Sequence, residues 1–240
     1  MPNLISIIIL TYNQLKYTKL CIESIKTWTE VPYELILVDN GSSDGTVEYL
    51  TSIADVKLIT NQTNLGFSKG VNQGIKAADG DYIMLLNNDT IVANNWLKNQ
   101  LRCIDSKLKV GIVGPRSNCA RGKPGTIECN LNGLEEIVKF SNNFNKPDAN
   151  KWFELNAVAG FCMLIKRKVI EKIGLFDEDF EYGLFEDRDY CCRARENGFK
   201  VYCAGDTFVY HFGHRTFEGN NLPQRHIFNK NMKRFKQKWK

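Results

Sequence analysis

The sequence predicts an α/β domain in which helices flank a mainly parallel, Rossmann-like central sheet, and three observations carry that prediction. Through the first half of the chain, short apolar runs alternate with segments whose apolar residues recur at helical intervals, the signature of repeated βαβ units. Several of these runs stop on polar residues, as strands do when their carboxyl ends open onto a ligand site. The chain has 240 residues, 43% hydrophobic and 25% charged, which suits one soluble core and excludes a disordered or fibrous chain.

Residues 5–10 form the first buried apolar strand. A helix follows at 15–29, with Leu15, Leu20, Ile22, Ile25 and Trp28 at roughly helical spacing, and a second strand at 34–38 ends on Asp39. The Gly- and Ser-rich turn 40–46 leads into a helix reaching residue 53, capped by Ser43 or Asp44. A third strand at 56–60, a helix at 68–78 and a fourth strand at 82–86 end in Asn87-Asn88-Asp89. After a helix at 96–107 and a strand at 110–113, residues 117–150 hold Asn, Gly and Pro without a sustained period and are expected to be loop-rich. Apolar density returns at 157–165, continues through a short helix near 169–173, and reaches the acidic helix start Glu186-Asp187-Arg188-Asp189. In an open parallel sheet the strand ends bring Thr11, Tyr12, Asn13, Asp39 and Asn87-Asn88-Asp89 to one rim.

A single domain over 1–240 is expected. The apolar stretch 4–10 is far short of the roughly 20 residues that span a bilayer and lacks a charged leader, so the expected location is cytoplasmic. Eight cysteines without a C-x-x-C pair read as reduced, mostly buried thiols. The net charge of +5 is uneven, because Lys230, Lys233, Arg234, Lys236, Lys238 and Lys240 crowd the end of the chain. With Phe228, Met232, Phe235 and Trp239 interleaved near helical spacing, 227–240 reads as a basic amphipathic helix that docks on the domain, the preferred reading, or makes peripheral contact with an anionic membrane. No zinc or RNA-binding motif accompanies these cations, so nucleic acid is not an expected partner.

Four motifs, Ile7-Ile8-Ile9-Leu10-Thr11-Tyr12-Asn13, Val38-Asp39-Asn40-Gly41-Ser42-Ser43-Asp44-Gly45-Thr46, Asn64-Leu65-Gly66-Phe67-Ser68-Lys69-Gly70-Val71-Asn72-Gln73-Gly74 and Leu86-Asn87-Asn88-Asp89, stand in register and are followed by Phe185-Glu186-Asp187-Arg188-Asp189-Tyr190 and Val209-Tyr210-His211. Together they resemble the family-2 glycosyltransferases over nearly the whole chain, in particular bacterial cell-surface members such as rhamnosyl- and N-acetylhexosaminyltransferases. The resemblance implies the GT-A fold, with 1–116 as the nucleotide-sugar-binding half and 117–226 as the acceptor and catalytic half. It also implies inverting transfer from a nucleoside diphosphate sugar, expected to be a UDP-sugar, to a hydroxyl of a glycan, lipid-linked or protein acceptor.

Residue chemistry agrees with these roles and leaves some alternatives open. Asp39 suits the imide N–H of uracil, or simply opens the Asn-Gly turn, while main-chain groups near Thr11 and Tyr12 suit base and ribose. Gly66 and Gly70 permit close backbone approach, and Lys69 and Asn72 are suitably polar to contact nucleotide, or all four belong to a plain helix start. A diphosphate leaving group calls for a hard divalent cation, with Asp89 as protein ligand. By resemblance Asn87 holds the first acidic position of an Asp-x-Asp triplet, beside Asn88, and His211 is the second metal ligand, its imidazole favouring Mn²⁺ over Mg²⁺. The family pattern also places the general base on Asp187, with Glu186 orienting donor sugar or acceptor, although an acidic first turn equally serves the helix dipole. Asp189 and Arg193 have the spacing of a structural pair. Gly160 resembles the small residue that admits the sugar, or serves strand packing, and His214 and Arg215 resemble a loop closing over the diphosphate. Cys203, His211 and His214 lack a fourth ligand for zinc.

Two other readings compete. A non-catalytic nucleotide- or glycan-binding module would tolerate Asn87 but has no need of Asp187, Asp89 and His211 together. A sugar-nucleotide pyrophosphorylase would need a Gly-rich, Arg-containing loop after the first strand, where Thr11-Tyr12-Asn13-Gln14-Leu15 stands instead.

Overall fold

The computed structural model describes residues 4–119, 125–213 and 224–240. The first half is β1 (Ile5–Thr11), α1 (Leu15–Trp28), β2 (Tyr33–Asp39), α2 (Thr46–Thr51), β3 (Val56–Thr60), α3 (Phe67–Ala77), β4 (Tyr82–Asn87), β5 (Thr90–Ile91), α4 (Trp96–Asp105) and β6 (Val110–Arg116). The second is α5 (Leu134–Phe144), β7 (Phe153–Leu155), β8 (Cys162–Lys166), α6 (Arg167–Ile173), α7 (Glu186–Glu196), β9 (Lys200–Phe208), β10 (Tyr210–His211) and α8 (Gln224–Lys238).

Eight strands make one sheet in the order β3-β2-β1-β4-β8-β6-β9-β7. The pairs β3–β2, β2–β1 and β1–β4 are parallel, and so is β6–β9. β8 runs antiparallel between β4 and β6, and β7 is an antiparallel edge on β9. The continuous apolar character of β1 follows from burial on both faces. Ile5, Ile7 and Ile9 pack in the cluster that holds Ile22 and Ile25 of α1 and Trp96 and Leu97 of α4. Ile8 faces the opposite cluster, with Val71 and Ile75 of α3 and Tyr190 and Ala194 of α7. Glycine lets α3 approach closely: a Cβ at Gly74 would stand 2.5 Å from Cγ2 of Ile8, and one at Gly70 would collide with Leu10.

The stretch 117–150 departs from its loop-rich expectation, because α5 forms there. Ile137 is buried, while Phe140 packs edge-on and Phe144 tilted against Phe208 of β9, with centroid separations of 4.9 and 5.8 Å. The apolar region 157–165 also divides: only its end enters β8, and the preceding residues form an irregular wall beside the sheet. The basic tail docks. α8 buries Ile227 and Asn231, and its cations pair with the acidic segment before and within α7: Lys230 with Glu181 at 2.7 Å, Arg234 with Asp179 at 2.5 Å, and Lys238 with Asp177 and Asp189, each at 2.8 Å. Among the described residues, no helix is long and apolar enough to cross a membrane.

Candidate active site

The carboxyl ends of β1 and β4, the irregular wall 155–161, the loop 182–185 and the start of α7 surround a cavity of about 770 Å³. Thr11, Tyr12, Asn87, Asn88 and Asp89 line it from the strand ends, Gly66 from the turn before α3, Gly160 from the irregular wall, and Glu186 and Asp187 from the start of α7.

His211 reaches Asp89 through a piece of secondary structure. β10 pairs antiparallel with β5, setting His211 opposite Thr90, and the Phe212 N–H donates to the Asp89 carbonyl at 3.0 Å. His211 Nε2 then lies 3.0 Å from Asp89 Oδ1 and 3.4 Å from Asn87 Nδ2. Asn118 holds the histidine backbone from both directions, donating to its carbonyl at 3.0 Å and accepting its N–H at 2.9 Å, and Phe161 stacks on the ring at 4.8 Å. Burial works against charge on His211, but the adjacent Asp89 carboxylate outweighs it, with a further contribution from Cys119, so the imidazole is pushed up to about 9.

At the start of α7, the Gly160 N–H donates to Asp187 Oδ2 at 3.1 Å, and the Arg188 N–H donates to Oδ1 at 2.7 Å. Glu186 beside it is only 6% exposed. The expected Asp189–Arg193 pair forms at 2.9 Å, and Arg193 also donates to the carbonyls of Ile173 and Leu175, a structural arrangement behind the cavity.

Other expected residues stand elsewhere. Asp39 is fully buried and absent from the cavity wall. It accepts from Thr11 Oγ1 at 2.9 Å, from the N–H groups of Gly41 and Ser42 at 2.9 and 2.8 Å, and from Ser42 Oγ at 2.5 Å, so its carboxylate organises the turn. Asn13 also lies off the wall: its side chain accepts the Ser43 N–H at 2.8 Å and its own N–H donates to Ser42 Oγ at 2.7 Å, which ties the first two motif loops together. Asn72 is buried against the opposite side of α3, donating to Phe176 O and Glu178 and accepting the Phe176 N–H. Lys69 is exposed and outside the cavity, because its position on α3 points away from β1. Gly70 serves helix-to-strand packing, whereas Gly66 lines the cavity and presses against the backbone of Tyr182. His214 and Arg215 lie outside the described residues. All eight cysteines are free.

Asn40, Arg188 and Arg195 are among the contributors that escaped the sequence reading. Asn40 lines the cavity and donates to Gly66 O at 3.1 Å, joining the second and third motif loops. Arg188 and Arg195 line it from α7, seven residues and so nearly two turns apart, a spacing readable once the helix start is fixed. Among the described residues there is no cluster of three or more His, Cys, Asp or Glu arranged to hold a metal, so any cation here would take Asp89 and His211 plus oxygen ligands from substrate or water.

Residues 6–174 match the family model described as Glycosyl transferase family 2. An uncharacterized glycosyltransferase of Haemophilus influenzae is 40% identical over 188 residues, covering 75% of this chain and 70% of that protein. Glycosyltransferase AglE of Haloferax volcanii is 25% identical over 213 residues, 86% of this chain and 66% of that one, and the poly-beta-1,6-N-acetyl-D-glucosamine synthase of Staphylococcus epidermidis is 25% identical over 183 residues, 73% of this chain but 42% of its own length. The fold is shared with the mannosyltransferase PcManGT of Pyrobaculum calidifontis, solved with GDP-Man and Mn²⁺, at TM-score 0.66 and 18% identity over 88% of this chain and 57% of that one. It is also shared with S. aureus TarS (residues 1–349), at TM-score 0.63 and 18% identity over 90% of this chain and 62% of that one. With its sheet, its motif order and these relatives in agreement, the chain belongs to glycosyltransferase family 2 and carries the GT-A fold.

Proposed function

We propose that the chain transfers a sugar with inversion from a UDP-sugar to an acceptor hydroxyl, in the assembly of a cell-surface glycan or a glycosylated protein. One observation carries the reading: the Asp89–His211 pair and Asp187 line one cavity of about 770 Å³, which brings the candidate metal ligands and the candidate base to the same space. Residues 1–116 hold the donor, with Thr11 and Tyr12 beside the base and ribose, and residues 117–226 present the acceptor.

Asp187 takes the proton of the acceptor hydroxyl as its oxygen attacks the anomeric carbon and the bond to the diphosphate breaks. The Gly160 N–H fixes one carboxylate oxygen, which orients the carboxylate without neutralising it. Glu186 orients donor sugar or acceptor beside it. Carboxylate oxygen and imidazole nitrogen fit a Mn²⁺ ion, or with less preference Mg²⁺, held by Asp89 and His211. Such an ion neutralises charge on the leaving diphosphate when bound. Mn²⁺ in the PcManGT complex supports this choice.

Calorimetric titration of the purified chain with UDP and a panel of nucleotide sugars, with Mn²⁺ present and then chelated, tests the reading. Mn²⁺-dependent UDP binding with one preferred sugar is expected. Equal binding with and without Mn²⁺ would remove the metal assignment, and preference for a guanosine nucleotide would remove UDP.

A further inference from the structure

The loop that delivers Glu186 and Asp187 to the cavity has a backbone that its own sequence does not favour. Tyr182, Gly183, Leu184 and Phe185 have φ values of 55, 102, 72 and 78°, four consecutive residues in the left-handed region, of which only one is glycine. Such a run persists only where surrounding structure holds it. On one flank it meets the turn before α3, where a Cβ at Gly66 would come 2.9 Å from the Tyr182 nitrogen. On the other flank stands α8.

From α8, one buried side chain hydrogen-bonds the loop backbone. Asn231 is fully buried, and its Nδ2 donates to three carbonyls of the loop: Glu181 at 3.0 Å, Gly183 at 2.7 Å and Leu184 at 3.1 Å. Its Oδ1 is buried with no hydrogen-bond partner among the described residues, so this amide is used as a donor only. Around it Lys230 pairs with Glu181, and Phe185 packs between Phe228 and Phe235 at 5.2 and 5.6 Å. Asn231 itself lies off the cavity wall.

We infer that Asn231 is a positioning residue for transfer: by tying the carbonyls of 181, 183 and 184 to α8, it holds the left-handed loop in the form that aims Asp187 at the acceptor hydroxyl. The inference rests on the reading of Asp187 as base. It assigns to the basic C-terminal helix a role in the reaction. The α8 ion pairs with Asp177, Asp179 and Asp189 dock the helix, and Asn231 conveys that docking to the loop.

Asn231→Leu keeps the approximate shape and burial but removes both donors, and Asn231→Ser is a smaller second variant. Two measurements test the inference. In steady-state release of UDP from UDP-glucose and UDP-N-acetylglucosamine, kcat should fall on the order of 10- to 100-fold, as for a base displaced by about 1 Å, while the donor KM stays within about threefold. In hydrogen exchange, amides 182–188 should lose protection in whichever variant folds, while those of β1, β2 and β4 keep theirs. Unchanged kcat in a folded variant, or unchanged exchange at 182–188, would overturn the inference. If the wild-type chain releases no nucleotide, the UDP-transfer reading fails, and exchange at 182–188 still decides whether Asn231 holds the loop.

Discussion

Replacing Asp187 with asparagine removes the proposed base with the least disturbance to the site. The two carboxylate oxygens accept from Gly160 N at 3.1 Å and Arg188 N at 2.7 Å. An asparagine keeps the size and one accepting oxygen, so one of these bonds is lost, at a cost of about 1 kcal/mol to stability. Donor binding, centred on Asp89, His211 and the loops at Thr11 and Gly66, should stay within about threefold of wild type. The chemical step loses its proton acceptor, which is worth about 10²–10⁴-fold. At about 1.36 kcal/mol per tenfold change, the barrier rises by roughly 2.7–5.4 kcal/mol, several times the structural cost. UDP release measured under saturating donor, alongside calorimetric UDP affinity, separates the two effects. A kcat within about threefold of wild type would refute the base assignment, and an equal loss of UDP affinity would mean that Asp187 belongs to the donor site instead.

Asp89→Ala should abolish Mn²⁺-dependent enhancement of UDP binding, read by calorimetry with and without chelator; an enhancement that persists would place the metal elsewhere. His211 gives a pH signature in metal-free protein. Its folded value, raised from 6.5 to about 9, means the charged pair with Asp89 contributes fully below pH 6.5 and is lost as pH rises through about 9. The Tm difference between wild type and His211→Asn should therefore shrink over that window, and a constant difference from pH 6 to 10 would contradict the pairing. Gly74→Ala should destabilise despite its gain in helix propensity of about 1 kcal/mol, because the new methyl would stand 2.5 Å from Ile8 Cγ2 and overpacking costs about 1–3 kcal/mol. A raised urea midpoint would show that α3 has room to move off β1.

The sequence by itself determined the βαβ half and the location of the site. Apolar runs buried on both faces need no partner to be recognised, so β1, β2 and β4 and the polar residues at their ends were readable from local pattern, as was the Asp189–Arg193 pair at helical spacing. Motif order also singled out Asp89, His211 and Asp187, which all line the cavity. The sequence did not reveal α5, whose apolar positions Leu134, Ile137, Phe140 and Phe144 follow helical spacing but lie among Asn and Gly residues that mask the period. Nor did it separate residues that face the cavity from those that build its walls. Asp39, Asn13, Asn72 and Lys69 occupy motif positions like Thr11 and Gly66, and only the tertiary structure turned them inward or away, because helix rotation and loop closure set side-chain direction independently of residue type. His211 and Asp89 stand 122 residues apart, and their meeting depends on the two-residue pairing of β10 with β5, too short to carry a sequence signal. The direction of β8 and the hold of Asn231 on a loop 50 residues before it were likewise decided by long-range packing, since hydrogen bonds between distant segments leave no local period to read.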